Sequence, residues 1–146
     1  MELIEREYNS VRNFIPGPRL VFGNNAYLKL TEEVKSLTKK EDNKVLLVTD
    51  DGVYKAGIAD IIKDSLKNSG IDVNIFHDIS GEPTLESMEK AVEYANRISY
   101  DVIIGVGGGS GMDTAKVVSL VKYNDGNVSS YLEVSEYKGR APLILI

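Results

Sequence analysis

The sequence has no cysteine and only one histidine, and its basic residues do not cluster beyond Lys39-Lys40. Without cysteine, disulfides, thiolate metal sites and a cysteine nucleophile are excluded. Its 17 basic and 22 acidic residues give a net charge of -5. An acidic chain without a basic patch argues against nucleic-acid partners and against binding to an anionic membrane surface.

Long apolar runs are also missing. No stretch approaches the roughly 18–20 apolar residues that a membrane-spanning helix requires. The N-terminal segment MELIEREYNS is charged and lacks the apolar core of a signal peptide. We therefore expect a soluble, cytoplasmic protein, whose 146 residues correspond to one domain.

Strand-like and helix-like patterns alternate along the chain. The apolar runs predict strands at residues 20–22, 44–51, 72–76, 101–106 and 142–146. Apolar residues at helical spacing predict helices over 26–37, 58–66, 85–95 and 111–123. Ser69-Gly70 is expected to end the second of these helices and Thr84 to cap the third. This alternation predicts a doubly wound α/β domain, a mostly parallel sheet with helices on both faces.

Ligands of such sheets bind at the carboxyl ends of the strands. The candidate functional residues are therefore those that follow the apolar runs. They are Asp50, Asp51, His77, Asp78 and the three glycines 107–109.

The glycines belong to the segment DVIIGVGGGSGMDTAKVVSL, residues 101–120. It is not a P-loop, because no Gly-Lys-Ser or Gly-Lys-Thr occurs in the chain. It is not the G-x-G-x-x-G dinucleotide fingerprint either, since Ser110 and Met112 occupy the third glycine position in the two possible alignments. That fingerprint also follows the first strand, whereas these glycines follow the fourth predicted strand.

Two interpretations of the glycine segment remain. Glycines before a helix let backbone N–H groups approach an anion, to which the Ser110 hydroxyl could also donate. Alternatively, Ser110 and Asp113 form a capping box and the glycines only make a tight turn. A cap does not account for three successive glycines, which favours anion binding.

The segment GGGSGMDTAK (107–116) resembles the G-G-G-S-x-x-D-x-A-K signature of the iron-containing alcohol dehydrogenases. PGPRLVFGNNA (16–26), VLLVTDDG (45–52), EPT (82–84) and APLILI (141–146) resemble further segments in the N-terminal half of that family. Ser110 favours alcohol dehydrogenases over the related glycerol dehydrogenases, which tend to carry lysine there. Ala115-Lys116 argues against dehydroquinate synthase.

The resemblance implies a Rossmann-like domain that binds the nicotinamide cofactor. Residues expected to hold the pyrophosphate are Gly107, Gly108, Gly109, Ser110 and Gly111. Asp50 would accept hydrogen bonds from the adenosine ribose and, by repelling a 2′-phosphate, favour NAD over NADP. Glu82 stands where the family often has an asparagine near the cofactor. Asp113 and Lys116 would lie towards the nicotinamide.

Each assignment outside the glycine segment has a simpler alternative. Asp50-Asp51 is a common strand-to-turn pair. Glu82 could be a solvated loop residue, and Asp113 with Lys116 a surface ion pair. His77 is expected to be a surface or packing residue.

The resemblance also implies that the metal of the family, Fe²⁺ or Zn²⁺, is bound by an aspartate and three histidines of a C-terminal helical domain. One histidine cannot rebuild that site, so no metal ligand or catalytic residue is assigned here. We interpret residues 1–146 as the dinucleotide-binding domain without the helical domain. A strand that ends at Ile146 agrees with the front half of a longer protein.

Three hypotheses follow. The chain is the NAD-binding domain of an iron-type alcohol dehydrogenase, which acts on a small alcohol or aldehyde only in its full-length form and forms a homo-oligomer. The second hypothesis is a truncated nucleotide-binding module or subunit without catalysis, or a relative of glycerol-dehydrogenase type. Or it is a folded remnant without ligand affinity.

Overall fold

The computed structural model describes residues 19–125, 127–131 and 137–146. The strands are β1 (Lys44–Thr49), β2 (Asp72–Phe76), β3 (Val102–Val106) and β4 (Leu143–Leu145). The α-helices are α1 (Leu30–Thr38), α2 (Asp51–Lys55), α3 (Ile58–Lys67), α4 (Leu85–Asn96) and α5 (Gly109–Val121). Two 3₁₀ turns lie at Ala26–Lys29 and Val128–Tyr131.

The four strands form one parallel sheet in the order β2-β1-β3-β4. Leu46 of β1 pairs with Asn74 on one side and with Ile103 on the other. The chain moves outward from β1 to β2, then crosses back over β1 to begin β3. The direction of winding therefore reverses between β1 and β3, the place where doubly wound sheets open a crevice.

Both faces of the sheet are covered by helices. On β1, Val45 and Leu47 pack into the cluster that contains residues of α1 and α3. Leu46 and Val48, which point the other way, pack with residues of α4 and α5. A strand buried on both sides needs a continuous apolar run, which is why KVLLVT has no polar alternation. The predicted doubly wound α/β class is confirmed.

The prediction of a strand at residues 20–22 is wrong. Leu20 and Phe22 are 84% and 95% exposed and lie outside the four-stranded sheet. An apolar tripeptide becomes a strand only when a neighbouring backbone accepts and donates its hydrogen bonds. The described residues thus form four strands, not five. Residues 16–18 of the segment PGPRLVFGNNA lie outside the described part of the chain.

Most of the predicted starts and ends of the helices are confirmed. Thr84 and Ser87 form a reciprocal capping box at the start of α4. Gly70 follows α3 with φ of 81°, a backbone conformation that favours glycine. Helix α5 begins at Gly109, two residues before the predicted start, and the short helix α2 was not predicted. Across the described ranges, no helix is long and apolar enough to span a membrane.

A polar cluster ties the amino ends of the strands together. The Asp101 carboxylate accepts from Lys40 Nζ at 2.7 Å and from the Lys44 backbone N–H at 3.0 Å. These bonds, chiefly the one from Lys40, hold the pKa of Asp101 below its usual value. Nearby, Lys122 Nζ lies 3.8 Å from the centre of the Tyr100 ring, and burial lowers the pKa of Lys122.

We expect Asp101→Asn to lower stability near neutral pH and to lose this effect in acid. A carboxyl group whose pKa is lowered in the folded state stabilises the protein at pH values above its unfolded pKa of about 3.9. That stabilisation is lost as the pH falls through the pKa of the folded state. Urea unfolding of the wild-type and Asp101→Asn proteins, from neutral pH to a pH of about 3, measures the difference between their free energies of unfolding. Asp72→Asn, an exposed carboxylate at the start of β2, is the control. A difference that stays constant into acid would contradict the argument.

Candidate functional site

An open pocket of about 380 Å³ lies at the carboxyl ends of the strands. Its walls come from the segments after β1, β2 and β3. The lining residues are Asp50, Asp51, Gly52, Ile79, Ser80, Gly81 and Ser110. Because β1 and β3 flank the point where the winding reverses, the pocket lies where this class of sheet binds its ligands.

The turn after β3, residues 107–111 (the glycine turn), contains two glycines that the fold requires. Gly107 has φ of 115°, and a Cβ there would lie 2.9 Å from Val53 Cγ2. At Gly111 a Cβ would lie 2.9 Å from the Val106 carbonyl oxygen. That carbonyl accepts the Thr49 hydroxyl at 2.9 Å, so it is held in place. The two glycines allow α5 to start directly against the ends of β1 and β3.

The other two glycines of this turn have a different environment. A Cβ at Gly108 or Gly109 would meet no atom within 4 Å. Packing therefore does not require these glycines, and the space above them is open. They lie at the start of the 13-residue helix α5, where no side chain caps the helix. Uncapped N–H groups at the positive end of a helix, with open space above them, are suited to an anion.

The capping box proposed for Ser110 and Asp113 is wrong. Gly108, not Ser110, is the N-cap residue, and Ser110 lies inside the first turn of α5. The Ser110 hydroxyl instead donates to the Gly81 carbonyl oxygen at 2.7 Å. Asp113 Oδ1 accepts from Lys116 Nζ at 2.9 Å. The capping box is thus excluded, while anion binding at the glycine turn stays a prediction.

Asp50 lies beside the glycine turn at the end of β1. Its Oδ1 accepts from the Val53 N–H at 2.9 Å and so caps α2, which agrees with the strand-to-turn interpretation. Its Oδ2 is only 3.1 Å from where a Cβ of Gly107 would be. The carboxylate therefore has a structural bond through one oxygen, while the other oxygen faces the turn.

Of the residues predicted to bind the cofactor, only Asp50 and Ser110 line the pocket. The four glycines of the glycine turn lie outside its lining, as do Glu82, Asp113 and Lys116. Glu82 is exposed on the loop just beyond Gly81, as the solvated-loop alternative expects. Asp113 and Lys116 pair with each other on an exposed side of α5, with about half of each side chain accessible. The ion pair is the surface pair that the alternative for Asp113 and Lys116 expects.

In the loop between β2 and α4 (residues 77–84, the β2–α4 loop), sequence reasoning named His77, Asp78 and Glu82 but missed residues 79–81. Ile79, Ser80 and Gly81 form one wall of the pocket. The Asp51 backbone N–H donates to the Ile79 carbonyl at 3.0 Å, which joins this loop to the end of β1. The signal in the sequence was the Ser80-Gly81 dipeptide, a turn pattern at the carboxyl end of a strand.

His77 packs as expected. Its ring stacks on Tyr54 with the ring centres 3.7 Å apart and the planes 2° from parallel. Its Nδ1 is 3.9 Å from Asp51 Oδ1. Within the described residues no three histidine, cysteine, aspartate or glutamate side chains are grouped so that they could hold a metal ion. The metal of the resembled family therefore does not fit this part of the chain.

A parallel, doubly wound sheet with a glycine turn at its winding reversal is the architecture of Rossmann-like α/β domains. A model of the family "iron-containing alcohol dehydrogenase" matches residues 17–146. The chain belongs to that family.

Curated relatives agree with this assignment. The chain is 37% identical over 142 residues to long-chain-alcohol dehydrogenase 1 of Geobacillus thermodenitrificans, a match covering 94% of this chain and 35% of the relative. It is 29% identical to the NAD-dependent methanol dehydrogenase of Bacillus methanolicus, over 92% of this chain and 35% of that protein.

Among solved structures, NADH-dependent butanol dehydrogenase A of Thermotoga maritima superimposes with a TM-score of 0.76 at 29% identity. That match covers 91% of this chain and 34% of the solved one. The chain thus spans about a third of the length of the relatives it matches.

The two kinds of glycine in the turn predict opposite effects of alanine. Gly111→Ala forces a methyl group against the anchored Val106 carbonyl, and we expect a loss of about 1–3 kcal/mol in the free energy of unfolding. Gly109→Ala, two residues earlier, has open space and gains helix propensity, so stability should be equal or slightly higher. Urea unfolding of the two variants measures this, and equal losses would contradict it.

Proposed function

We propose that residues 1–146 form the NAD-binding domain of an iron-type alcohol dehydrogenase. In its full-length form this protein transfers hydride between a small alcohol or aldehyde and the nicotinamide ring. The observation that carries the proposal is the glycine turn, whose open, uncapped N–H groups lie at the winding reversal. The relatives named for NAD or NADH dependence support the choice of cofactor.

The backbone of the glycine turn binds the pyrophosphate. N–H groups at the start of α5 donate to its oxygens, and the helix dipole adds a favourable positive potential. Gly108 and Gly109 leave room for the anion, while Gly107 and Gly111 let the turn lie close to β1. Ser110 contributes its backbone within the same turn.

Asp50 binds the ribose of the adenosine half. Its Oδ2 is the oxygen that is free to accept, since Oδ1 holds the Val53 N–H. A 2′-phosphate would bring negative charge against this carboxylate, which disfavours NADP. Glu82, at the rim beyond Gly81, contacts the same half of the cofactor. Asp113 and Lys116 lie towards the nicotinamide.

The bound cofactor supplies the hydride acceptor or donor, and this domain orients it. The metal that polarises the alcohol in the family is bound by the separate helical domain, which lies outside these 146 residues. Homo-oligomerisation and a cytoplasmic location stay predictions.

The 146-residue chain by itself should bind cofactor without oxidising alcohols. Its described residues hold no group of three possible metal ligands, and the resemblance assigns the metal to a helical domain, so we expect no activation of a substrate by added Fe²⁺ or Zn²⁺. The measurement is NADH formation from NAD and short-chain alcohols with each metal. Sustained metal-dependent turnover by the purified chain would contradict this prediction.

Calorimetric titration with NADH and with NADPH tests the proposed function. We expect NADH to bind more tightly than NADPH. Asp50→Asn should reduce this preference about tenfold, the effect of 1.4 kcal/mol of lost repulsion. Asparagine can still cap α2, so the variant removes the charge and keeps the fold. Asp78→Asn, a nearby exposed carboxylate outside the pocket lining, is the matched control.

Failure to bind either nucleotide would contradict the proposed function. Binding of both with an unchanged ratio in Asp50→Asn would instead contradict only the role of Asp50.

A further inference from the structure

The wall of the pocket after β2 is held to the rest of the site at two points. At one end, the Asp51 N–H donates to the Ile79 carbonyl at 3.0 Å, and the Ile79 side chain is buried. At the other end, the Ser110 hydroxyl donates to the Gly81 carbonyl at 2.7 Å. Ser80 lies between the two points, exposed and facing the pocket. The second bond joins residues 29 apart, on segments that follow different strands.

The bond to Gly81 limits what Ser110 can do for an anion. A serine hydroxyl has one hydrogen to donate and otherwise only accepts. An anion needs a donor, so the hydroxyl cannot serve Gly81 and a phosphate oxygen at the same time. The glycine turn has other donors, since the backbone N–H groups at the start of α5 have no side-chain cap.

We propose that Ser110 is a positioning residue, whose hydroxyl ties the β2–α4 loop to the glycine turn and makes no bond to the cofactor. This inference rests on the proposed function, because it concerns the same pocket. The anion is held by backbone N–H groups alone. The Ser110 hydroxyl sets the distance between the wall at Ile79–Gly81 and the turn.

The adenosine part and the pyrophosphate part of a ligand depend differently on the hydrogen bond between Ser110 and Gly81. Asp50, which we assign to the ribose, shares the pocket with Ile79, Ser80 and Gly81. Ligands that place adenosine in the pocket therefore depend on the position of the loop. Inorganic pyrophosphate uses only the backbone of the turn and does not depend on it.

The test uses Ser110→Ala, which removes the donor, and Ser110→Thr, which keeps a hydroxyl. Ser69→Ala is the matched control, since Ser69 donates a hydroxyl to the Ser65 carbonyl at 3.3 Å on α3, outside the pocket lining. The first measurement is amide hydrogen exchange in the ligand-free chain. Exchange of the Asp51 N–H, which donates to the Ile79 carbonyl, and of the Ile79 N–H, which donates to the His77 carbonyl at 2.7 Å, should become faster in Ser110→Ala only.

The second measurement is the affinity of each variant for ADP and for inorganic pyrophosphate. We expect Ser110→Ala to weaken ADP about fivefold, as for the loss of one hydrogen bond, and to leave pyrophosphate unchanged. Ser110→Thr should restore the affinity for ADP, which a general loss of stability would not predict.

Two results would overturn the inference. An equal loss of affinity for ADP and pyrophosphate in Ser110→Ala would mean that the hydroxyl binds the anion. Unchanged exchange of the Asp51 and Ile79 N–H groups would mean that it does not hold the loop. If the wild-type chain binds no nucleotide, both the proposed function and the positioning role of Ser110 are contradicted. The exchange data would still report whether the Ser110 hydroxyl holds the loop.

Discussion

The arrangement of the site depends on the close contact between the start of α5 and the ends of β1 and β3. Gly111 lies directly against the Val106 carbonyl, which the Thr49 hydroxyl holds from the neighbouring strand. On the same helix, Ala115 packs against Gly105, where a Cβ would lie 2.8 Å from the alanine methyl. Because side chains are absent at these contacts, the helix begins at the edge of the sheet, and its N–H groups face the crevice.

This contact also determines what surrounds the crevice. With α5 fixed, the Ser110 hydroxyl reaches the Gly81 carbonyl and Asp50 lies beside Gly107. The pocket is therefore built by three segments that meet only in the folded sheet. At its start, α5 offers the backbone N–H groups of its first turn, which no side chain caps. A site of this kind recognises charge and shape through the main chain, which suits the pyrophosphate of a dinucleotide.

Much of the fold was accessible from local patterns. The continuous apolar run of β1 predicted a doubly buried strand, and Thr84 before an apolar helix predicted a cap. The strand prediction at residues 20–22 failed because an apolar run does not show whether another strand is available to pair with it. The capping box, one of the two alternatives for Ser110, failed because the serine-to-aspartate spacing also occurs within the first turn of a helix.

The sequence by itself determined the fold class and the family, and it predicted the glycine turn as the centre of the site, since all three depend on residue types at short spacing. Only the tertiary structure decided which glycines serve packing and which leave open space, because that depends on atoms from other segments. It likewise decided that the Ser110 hydroxyl is used by Gly81 and that Ile79–Gly81 forms a wall. Contacts between residues that are far apart along the chain exist only after the strands have paired, and no local pattern encodes them.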